Sequence, residues 1–380
     1  MEKINIVFIC PDIGLDFGRS RIVHQIVANL IKNNKYEITL VTNKNSNLDE
    51  YKNFNIKIEY IPISINGRNP IQFSIALLKF ISLLRTNKIQ IIHSHHRYSD
   101  LLVYVSSKFV KVKTLTTVHS YTFGFNKFSY ALDRIICVSN DLKKHLENEF
   151  KISSEKLKVI YNGISQPSFK IEKNENTQIK KDKITVLCVG RFDFDKGQDI
   201  LINAFEKIWE TEERINLVLV GEYSPNIIKY ALKNNDEIRK KFRLNFEKLL
   251  DQNHKKIRLL TSKSTPWEEI SKADIVVIPS RIETFGLVAL EAGMSGKCVV
   301  ASNIGGLREI VNENKNGLLF EKENFNELSE KIFYLYENQN LIHKYGTELL
   351  KDIMDKFTIQ IMMKKYIEIY NKLLQNEYLD

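Results

Sequence analysis

Two glutamates, Glu283 and Glu291, lie eight residues apart in the apolar, glycine-punctuated segment PSRIETFGLVALEAGMSG. Glu283 precedes a predicted helix and Glu291 lies more than two turns along it, so at about 1.5 Å per helical residue the carboxylates are about 10 Å apart. Glycoside hydrolases hold their two carboxylates about 5 Å apart when they retain configuration and at most about 9.5 Å apart when they invert it. A hydrolytic pair therefore fits poorly, and two acceptors for the hydroxyl groups of one extended ligand fit better.

The same segment offers backbone donors to an anion. Gly286 stands at the predicted start of the helix, where helix geometry turns the amides of Phe285, Gly286 and Leu287 toward an incoming anion. The positive end of the helix dipole adds to this attraction. The segment thus suits a ligand that carries both hydroxyl groups and a phosphate.

A second loop, in VGRFDFDKGQDI, supplies cations: Arg191 and Lys196 flank a short connection between a predicted strand and a predicted helix. Exposed basic residues are common, but two cations beside helix-terminal amides form a good receptor for a diphosphate. The loop also contains Asp193 and Asp195 in an Asp-x-Asp pattern that occurs in metal sites. No further ligand cluster supports a metal here, so we expect both carboxylates to face solvent and the site to need no metal.

The first loop of the chain, CPDIGLDFGRS, contains only Gly14 and Gly18. A dinucleotide-binding site would show the G-x-G-x-x-G pattern there, because the backbone must approach a pyrophosphate closely. The sequence therefore argues against a nicotinamide or flavin cofactor. Gly18 either places the amides of a helix start over an anion or simply turns the chain, and the sequence leaves both possibilities open.

Short β-branched runs alternate with amphipathic helical patterns in both halves of the chain. The first half contains seven strand-like runs from INIVFIC to LKVIYN, and the second half starts again with ITVLCVG and continues to KCVVAS. This alternation predicts α/β domains with helices on both faces of a parallel sheet. Ligands of such doubly wound sheets bind beyond the carboxyl ends of the strands, so residues that follow strands are the candidates for function.

The length of 380 residues suits two domains, because single cores rarely grow so large. We predict a first domain over 1–165, a polar linker over 166–182 and a second domain over 183–357, with a cleft between the domains. A C-terminal helix over about 358–378 is predicted to pack back on the first domain.

The net charge of +10 belongs entirely to the first half of the chain. Residues 1–165 contain 23 basic and 13 acidic residues, whereas the remaining 33 basic and 33 acidic residues cancel. Lysine-rich solvated surfaces are common, yet this asymmetry favours an anionic partner for the first domain. The sequence shows no secretory signal and no membrane-spanning run, and its four cysteines lack metal-ligand spacing. Buried reduced thiols and a cytoplasmic location are expected.

Several segments resemble glycosyltransferase family 4, also called glycosyltransferase group 1: CVSNDLKKHL, VIYNGIS, VGRFDFDKG and the Glu-x7-Glu block. The likeness covers nearly the whole chain in order. It implies the GT-B fold, which has two Rossmann-like domains with a cleft between them. It also implies a retaining, metal-independent hexosyl-type transferase without a cofactor, which moves a sugar from a nucleoside diphosphate sugar, with UDP as the expected nucleotide, to an acceptor hydroxyl. Cell-surface polysaccharide, lipopolysaccharide or glycolipid synthesis is the expected setting.

The resemblance also implies roles for individual residues. Arg191 and Lys196 bind the donor diphosphate, and His119, which ends the run TLTTVH, matches a histidine that faces the sugar near the reacting centre. Taken without the resemblance, a lone histidine after a strand is often structural.

In the second block, the resemblance assigns Glu283 and the amides of Phe285, Gly286 and Leu287 to the transferred sugar and the distal phosphate. It assigns Glu291 to the ribose of the nucleotide. These assignments agree with the two-acceptor interpretation made from the residues themselves.

The sequence departs from the family pattern at three points. The first loop lacks the usual glycine pair, so the contacts of Gly18 stay open, and Cys298 replaces a usual proline. A long charged insert over 222–254 borders the expected base pocket and bears on the choice of nucleotide. In the first half, HSHHRYSD places His93, His95, His96 and Arg97 near the predicted cleft, where acceptor contacts or packing are favoured over a metal.

Two alternatives use other chemistry. A nucleotide-sugar epimerase of the same fold would need acid and base residues and no acceptor pocket. A nucleic-acid-binding protein would explain the basic first half, but the chain lacks stacking motifs and a recognition helix, so no nucleic acid is expected as a partner.

The acceptor is predicted from the charge count. Basic residues accompany apolar runs within 51–113, and this combination suits a lipid-linked or otherwise anionic acceptor and peripheral attachment to the cytoplasmic face of an anionic membrane. Taken alone, the run IALLKFISLL predicts a core helix with one solvated lysine. The basic residues concerned are Lys79, Arg85, Lys88, Lys108, Lys111 and Lys113.

Overall fold

The computed structural model describes residues 3–15, 18–44, 46–63, 69–122, 130–166, 181–222, 237–261 and 266–375. The chain forms two compact units, one made of residues 1–163 and 359–380 and one made of residues 164–358. The sequence predicted 165 as the end of the first domain, 183–357 as the second domain and a helix from about 358 that returns to the first. Most of the predicted linker, residues 167–180, lies outside the described residues.

The described residues of the first unit form seven strands and, before residue 164, four α-helices. The strands are β1 (Ile4–Ile9), β2 (Tyr36–Thr42), β3 (Lys57–Tyr60), β4 (Ile91–Ser94), β5 (Lys113–Val118), β6 (Arg134–Cys137) and β7 (Leu157–Val159), and the helices are α1 (Gly18–Leu30), α2 (Pro70–Thr86), α3 (Arg97–Ser106) and α4 (Asn140–Phe150). The strands pair in parallel in the order β3-β2-β1-β4-β5-β6-β7. The order reverses between β1 and β4, and such a switch point is where doubly wound sheets bind ligands.

The second unit repeats this plan, and its described residues form six parallel strands in the order β10-β9-β8-β11-β12-β13. Its strands are β8 (Ile184–Val189), β9 (Ile215–Val220), β10 (Ile257–Leu260), β11 (Ile275–Ile278), β12 (Cys298–Ser302) and β13 (Leu318–Phe320). Its helices are α5 (Gln198–Thr211), α6 (Glu237–Asn253), α7 (Trp267–Lys272), α8 (Leu287–Met294), α9 (Leu307–Ile310), α10 (Phe325–Glu337) and α11 (Gln339–Lys356). Its switch point lies between β8 and β11.

The central strands are buried on both faces, as expected when helices cover a parallel sheet. Consecutive residues such as Val276 and Val277 in β11, and Ile135 and Ile136 in β6, are all inaccessible to solvent. The predicted α/β class and the strands predicted from residue 4 to residue 302 are confirmed. The short strand β13 was not predicted, because a run of three residues carries too little periodicity to be recognised.

The last described helix, α12 (Ile359–Gln375), belongs to the first unit. Its Tyr370 hydroxyl lies 2.8 Å from His93 Nδ1 in β4, and its Tyr366 hydroxyl lies 3.0 Å from Thr117 Oγ1 in β5. Both tyrosines are buried. The end of the chain is therefore built into the core beneath the first sheet.

Helix α2 differs from the core helix that its apolar run predicts when taken alone. Asn69 caps it by accepting hydrogen bonds from the amides of Ile71 and Gln72. Phe80 and Leu84 face the core, but Ile71 is 72% exposed and Leu78 is 70% exposed. The sequence pattern missed this second apolar face because α2 is apolar on most of its circumference. No helix among the described residues is long and apolar enough to cross a membrane.

Candidate active site

Three segments of the second unit lie together at the switch point of its sheet. The loop that contains Arg191 and Lys196 follows β8, and the segment that contains Glu283 follows β11, the neighbouring strand. Because parallel strands end at the same edge of a sheet, these two loops lie side by side. Helix α8, which contains Glu291, begins directly after the second loop.

An ion pair joins the two loops: Lys196 Nζ lies 2.7 Å from Glu283 Oε2. The two side chains are 28% and 16% exposed, so the pair is partly desolvated yet open to a ligand. An ammonium group and a carboxylate at this distance offer one charged donor and one charged acceptor to a ligand. The structure thus brings together two residues that lie 87 positions apart in the sequence.

Close backbone packing fixes the position of Lys196. Gly197 follows it with φ of +66°, and a Cβ atom there would lie 2.0 Å from the carbonyl oxygen of Pro279. Only glycine therefore permits this left-handed turn against the second loop. Gln198 Nε2 also donates to the carbonyl oxygen of Arg191 at 2.9 Å, which ties the other end of the loop to the start of α5.

Arg281 is a supporting residue that the sequence analysis missed. Its guanidinium donates two hydrogen bonds of 2.8 Å to the carboxylate of Asp199 and a third of 2.8 Å to Glu323. It also lies 4.4 Å from the ring centroid of Phe194. Arg281 therefore clamps the segment before Glu283 to the first helix of the unit. Its position directly after a strand was the available signal.

Helix α8 begins as the sequence predicts. Gly286 precedes it with φ of +110°, a value that favours glycine, and a Cβ atom there would lie 2.7 Å from a methyl carbon of Leu307. Leu287 is the first helical residue, so its amide belongs to the helix start. Phe285 is buried beside Gly306, and Glu291 is only 1% exposed. Glu291 is thus a buried carboxylate only a little over one turn into the helix, and not more than two turns as expected, because the helix begins at Leu287.

The expectation that Asp193 and Asp195 face solvent is wrong. Asp193 is 4% exposed, and both carboxylates face Arg239 of α6. Arg239 Nε lies 3.4 Å from Asp193, and its Nη2 lies 3.2 Å from Asp195. The two carboxylates are not solvated because the insert contains α6, and Arg239 of this helix lies against the loop. Among the described residues no cluster of three or more potential metal ligands was found.

The first unit has its own cavity, of about 350 Å³, at the carboxyl ends of β4 and β5. His119 follows β5 directly and lines this cavity, as do His95, His96 and Arg97, which follow β4. Arg19, next to Gly18 at the start of α1, completes the basic side of the wall. Gly18 is exposed as the first residue of α1.

Hydrogen bonds connect the histidines below this cavity. His95 Nδ1 lies 3.0 Å from His119 Nε2, whereas His93 Nε2 lies 2.8 Å from Thr117 Oγ1. Burial lowers the pKa of His93, His95 and His119 well below the usual value. Burial also lowers the pKa of His96 to about 3, helped by Arg19 and Arg97. All four imidazoles are therefore neutral at physiological pH.

Asp100 lines the same cavity from α3 and is 1% exposed. Burial raises its pKa to about 7, against the opposing effect of hydrogen bonds with Ser94 and Thr116. Within the described residues, Asp100 Oδ1 and His95 Nε2 are buried atoms without a hydrogen-bond partner. The cavity therefore has neutral imidazoles and a carboxyl group of raised pKa on its floor and cations on its rim, which suits a hydroxylated ligand with a nearby negative charge.

Two family models match the chain, and they cover two different parts of it. The model described as glycosyltransferase family 4 matches residues 18–166, and the model described as glycosyl transferases group 1 matches residues 169–351. The first match falls within the unit with the histidine-lined cavity. The second falls on the unit with the Lys196–Glu283 pair.

Known proteins resemble the chain over nearly its whole length. An uncharacterized glycosyltransferase of Methanocaldococcus jannaschii is 31% identical over 365 residues, which cover 91% of this chain and 93% of the relative. An uncharacterized 41.2 kDa protein in the cps region of Klebsiella pneumoniae is 27% identical, with 92% and 96% covered. The Escherichia coli UDP-Gal:alpha-D-GlcNAc-diphosphoundecaprenol alpha-1,3-galactosyltransferase is 21% identical, with 92% of each chain covered.

Solved structures show the same fold. A glycosyltransferase from Rickettsia africae superposes with a TM-score of 0.80 at 22% identity, covering 99% of this chain and 100% of that chain. HepE of Anabaena, in complex with UDP and glucose, superposes with a TM-score of 0.76 at 18% identity, covering 97% and 99%. The two doubly wound units are those of the GT-B fold. With these matches and the arrangement of its two switch points, the chain belongs to glycosyltransferase family 4, the group 1 glycosyltransferases.

Proposed function

We propose that the protein is a retaining, hexosyl-type glycosyltransferase that transfers a sugar from a UDP-sugar to an acceptor hydroxyl. The observation that carries this proposal is the Lys196–Glu283 ion pair of 2.7 Å, because it links the loops after two adjacent strands at the switch point of the second sheet. This site offers a cation and helix amides for a diphosphate, and a carboxylate for sugar hydroxyl groups.

The ion pair also suggests how the donor binds. A diphosphate carries more negative charge than one carboxylate, so it draws the Lys196 ammonium toward itself, and Arg191 adds a second cation. Glu283 is then left to accept hydrogen bonds from the sugar, while the start of α8 at Gly286 and Leu287 faces the distal phosphate. Charge grows on the diphosphate as the glycosidic bond breaks, so these cations stabilise the transition state more than the bound substrate.

The remaining site residues receive roles in the same scheme. Glu291 accepts from the ribose hydroxyl groups of the nucleotide, and Phe285 contributes its amide beside Gly286. His119 serves as a neutral hydrogen-bonding group for the sugar, consistent with the lowered pKa of its imidazole. Gly18 contributes the start of α1 beside the basic rim of the first cavity. The retaining step is proposed to occur on one face of the sugar, with the departing phosphate accepting the proton of the acceptor hydroxyl.

Two relatives support the choice of UDP. HepE was crystallised with UDP and glucose, and the E. coli relative is a UDP-galactose transferase that acts on a diphosphoundecaprenol-linked sugar. The site needs no cofactor beyond the nucleoside diphosphate sugar. We also propose that it needs no metal, since Lys196 and Arg191 neutralise the diphosphate and Asp193 and Asp195 are occupied by Arg239. The match to group 1 glycosyltransferases does not favour the epimerase alternative.

The acceptor is proposed to be lipid-linked or otherwise anionic and to be glycosylated at the cytoplasmic face of a membrane, in polysaccharide, lipopolysaccharide or glycolipid synthesis. The relative encoded in the cps region and the diphosphoundecaprenol substrate of the E. coli relative support this setting. In the first unit, Ile71, Ile75 and Leu78 form an exposed apolar face of α2. Lys79 and Arg85 are exposed on the same helix, and Lys108 and Lys111 are exposed in the segment that follows α3. Apolar and basic side chains together suit an anionic bilayer.

Incubation with a panel of UDP-, GDP-, ADP- and TDP-sugars, with lipid extract as the acceptor source, tests the proposal. Release of the nucleoside diphosphate and transfer of the sugar with retained anomeric configuration, read by NMR, are expected for a UDP-sugar. Interconversion of the nucleotide sugar without release of the nucleotide would establish the epimerase instead. An inverted product would refute the retaining mechanism.

A further inference from the structure

Helix α6 contacts every residue of the loop between Arg191 and Lys196. Phe192 packs against Phe246 with ring centroids 5.2 Å apart, and Phe194 packs edge-on against Phe242 at 6.3 Å. Asp193, between the two phenylalanines in the sequence, and Asp195, which follows Phe194, both pair with Arg239 of the same helix. The helix thus holds the loop by alternating apolar and ionic contacts.

Asp195 connects this helix to the second loop of the site. Its carboxylate accepts from Arg239 at 3.2 Å, and its carbonyl oxygen accepts from the backbone amide of Arg281 at 2.8 Å. Lys196 follows Asp195 directly, and Glu283 lies two residues beyond Arg281. A change at Arg239 is therefore transmitted through one residue to both members of the Lys196–Glu283 pair.

The charges of the loop make Arg239 more than a packing contact. Arg191 and Lys196 carry two positive charges, and Asp193 and Asp195 carry two negative charges that cancel them. A diphosphate would meet no net attraction from such a loop, and two carboxylates so close would repel it. Arg239 adds the positive charge that leaves the loop cationic. Burial and the neighbouring Asp193 raise the pKa of Asp195, whereas Arg239 and Lys196 lower it.

We propose that Arg239, contributed by the insert, is a positioning residue for donor binding: it neutralises Asp193 and Asp195, so that these carboxylates do not repel a diphosphate at the loop. This inference rests on the proposed function, because it assumes that the loop binds the donor diphosphate. It assigns a task to the insert, whose role the sequence leaves undefined. It also accounts for the Asp-x-Asp pattern without a metal, since an arginine occupies the place between the two carboxylates.

The test is calorimetric titration of UDP into the full-length protein and its variants at pH 8 and low salt. Arg239→Ala is expected to weaken UDP binding about tenfold, because it exposes the diphosphate to two uncompensated carboxylates. Asp195→Asn in the same chain removes one of these charges and is expected to restore binding to within about threefold of the wild type. Asp195→Asn alone should bind UDP at least as tightly as the wild type.

Arg243→Ala is the matched control. Arg243 lies one turn further along α6, pairs with Glu247 at 2.8 Å and is 45% exposed. The Arg243→Ala variant removes one positive charge from the same helix but no contact with the loop, so UDP binding should not change. Arg239→Lys, which keeps the charge, should bind more tightly than Arg239→Ala.

The outcomes separate this inference from the proposed function. If the wild type binds UDP and Lys196→Ala does not, but Arg239→Ala binds as the wild type does, the proposed function stands and the role of Arg239 is refuted. If Arg239→Ala weakens binding and Asp195→Asn does not rescue it, Arg239 is merely structural and the inference also fails. If Arg239→Ala does not fold, an Asp195→Asn variant that binds UDP more weakly than the wild type refutes it. If the wild type binds no nucleoside diphosphate, both proposals fall.

Discussion

The first six strands of the first unit follow the same order as the six described strands of the second, and both sheets have a switch point. The side chains that line the two sites differ in charge. In the second unit, Lys196 and Glu283 remain partly exposed and form an ion pair across two loops. In the first unit, His95 and Asp100 are buried, and burial shifts their pKa values toward the neutral forms. In the proposed function, the ion pair of the second unit belongs to the receptor for a diphosphate, and the buried groups of the first unit face the hydroxyl groups of the ligand.

The largest expected effect comes from removing the charged receptor. Lys196→Ala should lower kcat about 10² to 10³-fold and Arg191→Ala at least about tenfold, since each removes a cation that stabilises charge on the leaving diphosphate. Steady-state kinetics with the UDP-sugar, together with thermal unfolding of each variant, measure this. Exposed Lys322→Ala is the control in the same unit. Wild-type turnover in Lys196→Ala with an unchanged Tm would remove the basis for the diphosphate site.

In the proposed function, Glu283 marks the sugar end of the site and Glu291 marks the nucleotide end. Glu283→Gln should lower kcat about 10 to 100-fold with little loss of UDP affinity, because charge-assisted acceptance from the sugar is lost. Glu291→Gln should weaken the binding of free UDP, because its partner is the ribose. Titration of UDP into both variants distinguishes them. Equal losses of UDP affinity, or a loss in Glu283→Gln alone, would contradict these assignments.

The neutral floor of the first unit predicts an unusual dependence of stability on pH. The folded pKa values of His93, His95, His96 and His119 are lowered, so protonation of the unfolded chain below about pH 6.5 costs stability as the pH falls. Asp100 has the opposite sign: its pKa of about 7 in the folded state means that its contribution is lost as the pH rises from about 4 through 7.

Asp100→Asn should therefore be more stable than the wild type at pH 8, and this gain should disappear toward pH 4. Between about pH 4 and pH 7 the difference in unfolding free energy should change by about 1.4 kcal/mol per pH unit, and above pH 7 it should level off. Urea unfolding at a series of pH values measures it, with the exposed Asp355→Asn as control. A pH-independent difference between wild type and Asp100→Asn would show that the carboxyl is not held neutral.

A smaller effect is expected at the apolar face of α2. Leu78→Glu should reduce co-sedimentation with anionic vesicles a few-fold at low salt, because it removes an exposed apolar side chain beside basic residues. Leu244→Glu on α6 is the matched control, since the two leucines are 70% and 69% exposed. Charge reversal at Lys108, Lys111 and Lys113 should have a similar effect. Absence of the wild type from the pellet, with and without anionic lipid, would refute membrane attachment.

The smallest effect is expected from chelation. EDTA should change the rate of transfer less than about twofold, since cations of the protein neutralise the diphosphate. Loss of activity with EDTA that magnesium or manganese restores would assign a metal to the site and would reopen the role of Asp193 and Asp195.

The sequence predicted the strands and the post-strand loops well, because β-branched runs and glycine-punctuated turns are local signals. It could not show that Lys196 pairs with Glu283, because 87 residues separate them. Neither segment alone indicates that the two loops lie side by side in the folded unit. It gave the wrong environment for Asp193 and Asp195, because their partner Arg239 lies in an insert with no family pattern to align it. Arg281 was overlooked for a similar reason: its bond to Asp199 is a tertiary contact. The exposure of α2 likewise depended on what surrounds the helix.

The placement of α12 has a consequence for the order in which the protein is made. The second unit is one continuous stretch of chain, whereas the first requires residues 359–375 to cover His93 and Thr117. On the ribosome, the unit that is synthesised first is therefore completed last. Until α12 emerges, His93 and Thr117 lack the tyrosine hydroxyl groups that pair with them in the folded unit.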